Sequence, residues 1–178
     1  MKITTTLRKI MDKQFRPALQ RVMEKWTEAS DVHAMVKIAK AVDAEGKDYF
    51  ESIKKLTEDH GFQLEGRKSV NGDEITDALL QEFGKFRPDG QMTIAGCTDE
   101  QTEGFMAKKK SADEAIRKFN NAHEQMISED IELEIPRLVK VTDKLIRKEV
   151  ITAYDCFLLE PFLDLSGVSD LPKDDSKE

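Results

Sequence analysis

The longest regular pattern of apolar and polar residues runs from Asp31 to Phe62. Apolar side chains recur there at spacings of three and four, with lysines and carboxylates between them, which is the period of an amphipathic α-helix. We predict one long helix, with Ser30 or Asp31 as its N-cap and Gly61 in the left-handed conformation that ends many helices. A lone helix cannot bury its own apolar stripe, so other segments must pack against it.

The N-terminal segment predicts a strand and then a second helix. Residues 1–6 are rich in threonine and alternate weakly, which suits a short strand that pairs with a later segment. Helical spacing follows over residues 7–26, but Pro17 removes a backbone donor and crowds the preceding turn. We therefore expect a kink or a break near residues 14–16. The short connection over residues 28–30 would make this helix an antiparallel neighbour of the long one.

The middle of the chain is less regular. Helical spacing of apolar residues over 74–86 predicts a short helix, with Gly84 as its expected end. Residues 87–110 contain turn signals, a short apolar strand at 92–95 and three adjacent lysines, so we interpret them as a loop with one hairpin. The whole section 67–110 is interpreted as an insertion between helices.

Regular patterns return in the last third of the chain. Residues 111–114 have the form of a capping box, which predicts a helix from Ser111 to about Ser128. Acidic and apolar residues then alternate strictly over residues 130–136, the period of a strand with one solvated, acidic face. We interpret residues 138–141 as an extension of that strand.

These patterns predict an α+β fold, mainly α, in which long antiparallel helices pack together with a small β-sheet or hairpin. We expect a single helix-rich domain over residues 1–165, with the insertion at about 67–110. Residues 166–178 are rich in Asp, Lys and Ser, and we expect an acidic flexible tail there. At 178 residues the chain is long enough to bury a substantial core.

Charge and composition narrow the classes of function. Charged residues make up 35% of the chain and the formal net charge is −7, which argues against a general affinity for nucleic-acid phosphates. No apolar run approaches the roughly 20 residues of a membrane span, and the N-terminus lacks the apolar core of a signal peptide. We therefore expect a cytoplasmic protein in which Cys97 and Cys156 are free thiols.

No catalytic, cofactor or metal site is predicted. His33, His60 and His123 lie far apart in the sequence and none has a histidine partner at the i, i+4 spacing, whereas a zinc site needs at least three converging ligands. Cys97 has no nearby histidine motif that would activate it. The lysines at 108–110 could meet phosphate, but a surface loop explains them more simply. We expect a protein that is not an enzyme.

Three blocks of the sequence share one resemblance. They are residues 1–4 with Leu7, the segment 36–40 (VKIAK), and the acidic strand 130–136 followed by LLEPF at 158–162. Together they resemble a family of small phage and prophage proteins of unknown function. In that family a helical hairpin carries the middle and a short β element gathers the ends, with no catalytic residues to carry over. The resemblance implies a phage context.

Two functions follow from that context. The favoured one is a bacteriophage-encoded, non-enzymatic structural or assembly protein, either a virion head- or tail-associated component or an assembly factor. It would contact other phage structural proteins or its own copies as a homo-oligomer, in the host cytoplasm or in the virion. The alternative is an acidic antagonist that binds a host or defence protein through its carboxylates. Neither membrane nor nucleic acid is an expected partner.

The partner is predicted to bind on two segments. One is the section 67–110, whose apolar residues are interpreted as exposed because the helical stripes do not need them. The other is the acidic strand, interpreted as a sheet edge that could accept a strand from a basic or polar partner. The simpler alternatives are a lid that buries Phe83 and Phe86, and an ordinary solvated face. The predicted partner-binding residues are Met92, Ile94, Phe105, Met106, Asp130, Glu132 and Glu134.

Overall fold

The computed structural model describes residues 1–169. The helices are α1 (Leu7–Ile10), α2 (Phe15–Lys25), α3 (Ala29–His60), α4 (Gly72–Phe83), α5 (Asp99–Ser128), α6 (Asp143–Arg147) and α7 (Ala153–Leu159), followed by a 3₁₀ turn over Glu160–Phe162. The strands are β1 (Lys2–Thr6), β2 (Phe62–Leu64), β3 (Arg67–Ser69), β4 (Lys85–Phe86), β5 (Met92–Thr93), β6 (Asp130–Glu134), β7 (Val139–Thr142) and β8 (Leu163–Gly167). Helix dominates and the strands form small two-stranded sheets, so the predicted α+β, mainly α fold class is confirmed.

The chain divides into two compact units. Of the described residues, the first contains 1–49 and 127–169, and the second contains 50–126. Both boundaries fall inside long helices, so α3 and α5 each contribute to both units. The section 67–110, predicted as an insertion, lies wholly within the second unit. Within residues 1–169 no helix combines the length and the apolar character that crossing a membrane requires.

The N-terminal strand begins the first unit. β1 pairs antiparallel with β6 in a regular register, with Lys2 opposite Glu134 and Thr6 opposite Asp130. The expected pairing of the first residues with a later strand is therefore confirmed. Thr6 then caps α1, because its hydroxyl oxygen accepts the backbone N–H of Lys9 at 3.3 Å.

The predicted interruption of the first helix is also confirmed. Residues 11–14 separate α1 from α2, and the carboxylate of Asp12 accepts the backbone N–H of Gln14 at 2.7 Å. Pro17 falls in the first turn of α2. The N–H groups of that turn have no partner inside the helix, so the proline sacrifices no intrahelical hydrogen bond there.

Helices α2 and α3 are antiparallel neighbours, as predicted. Arg16 near the start of α2 pairs with Asp43 far along α3 at 2.7 Å, whereas Trp26 after the end of α2 donates to Asp31 at the start of α3. Gly46 leaves room for the first contact, because a Cβ there would lie 3.0 Å from the guanidinium of Arg16.

The two ends of α3 differ from the prediction. The helix begins at Ala29, so Ser30 and Asp31 lie inside its first turn and neither is the N-cap. Gly61 does not adopt a positive φ. It is needed for a different reason, because a Cβ at this position would lie 2.5 Å from the carbonyl oxygen of Thr57.

The C-terminal segment completes the core of the first unit. β7 is a separate strand that pairs in parallel with β8, so the predicted extension of the acidic strand by residues 138–141 is wrong. Ser166 and Gly167 belong to β8 and not to a tail, and residues 170–178 of the predicted tail lie outside the described residues. The buried apolar side chains of this unit include Ile10, Phe15, Val22, Ile38, Val139, Ile151 and Phe162. The rings of Phe15 and Phe162 pack edge to face, 5.5 Å apart.

The second unit has a small core of its own. Ile75, Leu79, Phe105 and Ala112 are buried there, from α4 and α5. The β2–β3 and β4–β5 hairpins precede and follow α4. The helix ends at Phe83 with Gly84 as its C-cap, as predicted, whereas residues 85 and 86 of the predicted helical span form β4.

The start of α5 differs most from the sequence prediction. The helix begins at Asp99, so the capping-box pattern at Ser111 lies in its interior. The working capping box lies at the true start of the helix. Thr98 accepts the N–H of Gln101 at 3.2 Å, and the side chain of Gln101 accepts the N–H of Thr98 at 3.0 Å.

Candidate functional site

The acidic strand β6 has one solvent face and one buried face. Asp130, Glu132 and Glu134 are exposed, whereas Leu133, which lies between two of them, is only 2% exposed. Ile135, directly after the strand, is also buried. Alternation along an extended strand puts successive side chains on opposite faces, so the predicted acidic, solvated face is confirmed.

The register of β1 and β6 shows which backbone groups are used within the sheet. Ile135 donates its N–H to the carbonyl of Met1 at 2.9 Å, and the amino group of Met1 donates to the carbonyl of Ile135 at 2.6 Å. In an antiparallel ladder such bonded pairs alternate with pairs that exchange no hydrogen bond. The next bonded pairs are therefore Ile3–Leu133 and Thr5–Ile131.

The acidic residues occupy the other pairs. Because Asp130, Glu132 and Glu134 sit between the bonded positions, their N–H and C=O groups point away from β1. The sheet has two strands among the described residues, so no further strand takes up those groups. We call this side of β6, with its three carboxylates and outward backbone groups, the acidic edge.

The charge at the acidic edge is only partly balanced. Lys2 on β1 forms an ion pair with Glu132 at 2.7 Å, and both side chains are exposed, so this contact contributes little stability. Asp130 and Glu134 take part in none of the ion pairs that the structure shows within residues 1–169. The solvent face of the sheet therefore has three carboxylates and one ammonium group.

A partly buried contact fixes the chain just beyond the acidic edge. Arg137, which follows Pro136, donates to the carboxylate of Asp31 at 2.5 Å and to the hydroxyl of Ser30 at 3.0 Å. Asp31 is 7% exposed and also accepts the indole N–H of Trp26 at 3.0 Å. The contact holds the end of β6 against the start of α3.

The four apolar residues predicted to bind a partner have different environments. Phe105 is 7% exposed and belongs to the core of the second unit, so the expectation that it is exposed is wrong. Ile94 packs against the same core, and Met92 is half-buried. Met106 is 60% exposed. Because residues 99–110 are helical, Phe105 and Met106 point in directions about 100° apart.

The alternative interpretation, a lid that buries Phe83 and Phe86, does not match the exposure of these two residues. Phe86 is 74% exposed on the β4–β5 hairpin, whereas a lid would bury it. Phe83 is half-buried against α5, where Gly104 leaves room for its ring: a Cβ at Gly104 would lie 2.6 Å from a ring carbon. Met106 and Phe86 are therefore the large exposed apolar side chains of the section 67–110.

The second unit also has an open groove of about 790 Å³. Its apolar lining includes Phe62, Leu64 and Leu79, and Glu82 and Lys108 form an ion pair on its wall. The ammonium of Lys108 lies 5.2 Å from the ring centre of Phe83, a cation–π distance. Residues 108–110 lie inside α5, so these three lysines are helical and do not form the predicted surface loop.

The residues considered for chemistry lie apart. Among residues 1–169 no group of three or more His, Cys, Asp or Glu side chains is arranged to hold a metal ion. Cys97 and Cys156 are free thiols. Burial and the neighbouring carboxylate of Asp155 raise the pKa of the Cys156 thiol to about 11.

Comparison of the chain with models of protein families, with curated proteins and with solved structures finds no match. The structure itself defines the class as a mainly helical α+β protein with small two-stranded sheets. The resemblance to phage proteins stays a prediction from the sequence.

Proposed function

We propose that this chain is a bacteriophage-encoded, non-enzymatic structural or assembly protein that acts through protein–protein contacts. It would serve as a virion head- or tail-associated component or as an assembly factor. The observation that carries the proposal is the acidic edge, the side of a regular five-residue strand whose backbone groups point away from β1 and meet no further strand among the described residues. Open edges are templates for pairing with another chain, and a partner strand would satisfy them. The phage context rests on the sequence resemblance.

The second unit supports the proposal with a different kind of surface. Phe86 and Met106 are exposed there, and aromatic residues and methionine are enriched at protein interfaces. The proposed partners are other phage structural proteins or further copies of this chain. The proposed locations are the host cytoplasm and the virion.

The buried carboxylates of the described residues, Asp31 and Asp155, are engaged in structural contacts, which agrees with the proposed non-enzymatic role. Asp31 accepts from Trp26 and Arg137. Asp155 closes the capping box of α7 and pairs with Arg21 at 2.7 Å. Burial raises the pKa of Asp155, but the hydrogen bonds from Thr152 and Arg21 outweigh burial and leave the pKa lowered.

Mass spectrometry of purified particles and of assembly intermediates tests the proposal. We expect the protein in one of these fractions at a fixed ratio to the major capsid or tail protein. Electron microscopy of lysates from a phage that lacks the gene should then show incomplete or misassembled particles. Absence of the protein from every fraction, together with normal particles without the gene, would refute the proposal.

The acidic edge also supports a second candidate function. Its three carboxylates recur at every second residue of an extended strand, roughly 6.8 Å apart, and the whole chain has a net charge of −7. A row of this kind could replace nucleic-acid phosphates on a basic host or defence protein. Recovery of a single host protein at one-to-one stoichiometry, with the chain absent from particles, would favour this antagonist function over the structural one.

A further inference from the structure

We propose that the acidic edge binds a basic, extended segment of the partner protein as a third strand of the β1–β6 sheet. This inference rests on the proposed function and names the chemistry of its partner. The added strand would carry lysine, arginine or threonine at every second position, on the face that meets the three carboxylates.

The backbone provides the first part of the argument. Asp130, Glu132 and Glu134 each direct one N–H and one C=O away from β1, at the repeat that an added strand requires. The register is regular over all five pairs of β1 and β6, with no bulge to twist the edge away. Pro136, a residue that blocks strand pairing, lies beyond the end of β6.

Charge selects the kind of partner. Pairing of β6 with β6 of a second copy would bring rows of carboxylates together, and like charges on neighbouring strands are destabilising. A basic segment has the opposite effect, and Asp130 and Glu134 have no ion-pair partner among the described residues. The occupant is therefore a basic strand and not a second copy of this edge.

Strand β1 shows the side-chain pattern that this face accepts. On the solvent face of the sheet, β1 places Lys2, Thr4 and Thr6 opposite Glu134, Glu132 and Asp130. Lys2 also reaches Glu132 diagonally in an ion pair. A second strand with the same alternation of basic and hydroxyl residues would repeat these contacts on the other side of β6.

A matched pair of variants separates the backbone contribution from the charge. Glu132→Pro removes one outward N–H, and because the ladder to β1 uses the odd-numbered residues of β6, the internal pairing is kept. Glu132→Thr loses the same carboxylate but keeps the N–H. Far-UV circular dichroism and thermal melting establish that both variants fold.

The probe is a synthetic peptide that alternates lysine and threonine, with a glutamate–threonine peptide of the same length as control. Each peptide is added to isotope-labelled protein at concentrations up to millimolar. NMR spectra then give the affinity and the rates of amide exchange. We expect slowed exchange at Asp130, Glu132 and Glu134 with the basic peptide only. We expect binding to Glu132→Pro to be at least about fivefold weaker than to Glu132→Thr, the effect of one lost hydrogen bond.

Other results would overturn the inference. These are equal binding of the two peptides, equal affinity of the two variants, the absence of slowed exchange, or self-association of the wild type that Glu132→Pro abolishes. The particle assay separates the inference from the proposed function. If the wild type is in particles and Glu132→Pro enters at the same level, only the inference fails. If the wild type is absent from particles but the peptide binds as expected, only the structural function fails.

Discussion

Replacing Asp31 by alanine is expected to destabilise the first unit far more than the same replacement elsewhere on α3. Asp31 is buried, and its carboxylate accepts hydrogen bonds from Trp26 and Arg137. Alanine removes the acceptor and leaves a buried indole N–H without a partner. The matched control is Asp43→Ala, on the same helix, because Asp43 is also paired with an arginine but is half-exposed.

The two contacts of Asp31 set the expected magnitude. Leaving the buried N–H of Trp26 unpaired costs about 1–3 kcal/mol. The side chain of Arg137 is 47% exposed, so solvent screening limits the ion pair to about 1 kcal/mol. Together Asp31→Ala should cost about 2–4 kcal/mol in the free energy of unfolding, by adding these two ranges. The exposed pair at Asp43 should cost less than about 1 kcal/mol.

Urea unfolding followed by fluorescence and circular dichroism measures both variants. Trp26 is the single tryptophan of the chain and lies in the first unit, so its fluorescence follows the unfolding of that unit. Asp31→Asn keeps an oxygen acceptor for the indole and removes only the charge, so it should be less destabilising than Asp31→Ala. Because Arg137 follows β6, Asp31→Ala should also speed the amide exchange of Ile135.

The reasoning would be refuted if Asp31→Ala and Asp43→Ala changed the free energy of unfolding equally. A cost below about 1 kcal/mol for Asp31→Ala would have the same consequence, because it lies under the range for an unpaired buried donor. If Asp31→Asn were as destabilising as Asp31→Ala, the charge and not the indole hydrogen bond would be the main contribution.

Three further predictions concern other parts of the chain. The pKa of Asp155 is lowered from 3.8, so the carboxylate contributes its full stabilisation above pH 3.8 and loses it as the pH falls through the folded pKa. Urea unfolding at decreasing pH should therefore show a shrinking difference in the free energy of unfolding between wild type and Asp155→Asn. Thr98→Ala should destabilise by about 1 kcal/mol in thermal melts, whereas Ser111→Ala should be neutral or stabilising. At pH 8, Ellman's reagent should modify Cys97 before Cys156, whose pKa is about 11, and equal labelling rates would contradict this.

The elements predicted correctly are those with strong local signals. The apolar stripe of α3 and the alternation of β6 each extend over enough residues to define a period. Pro17 acts on its own backbone, so the helix break near it could be inferred without knowledge of the fold. The acidic, solvated face of β6 belongs to the same group, because strict alternation already separates polar from apolar faces.

The wrong predictions depended on motifs that occur in more than one context. The pattern at Ser111 has the form of a capping box, but the backbone N–H groups there are already bonded within α5. The working pair, Thr98 and Gln101, has the same form earlier in the chain. The glycine and lysines of residues 99–110 favour a loop in the sequence, so nothing in the local pattern placed a helix start at Thr98. The loop interpretation also places Phe105 on the surface.

The sequence by itself determined the long amphipathic helix, the broken first helix and the acidic alternation, because each depends on interactions between residues close in the chain. Only the tertiary structure decided that residues 1–6 pair with β6 and in which register. That register directs the backbone of Asp130, Glu132 and Glu134 outward. A shift of one residue in this pairing would turn those backbone groups toward β1 and bury the carboxylates. The register is set by contacts between segments more than a hundred residues apart, which no local pattern encodes.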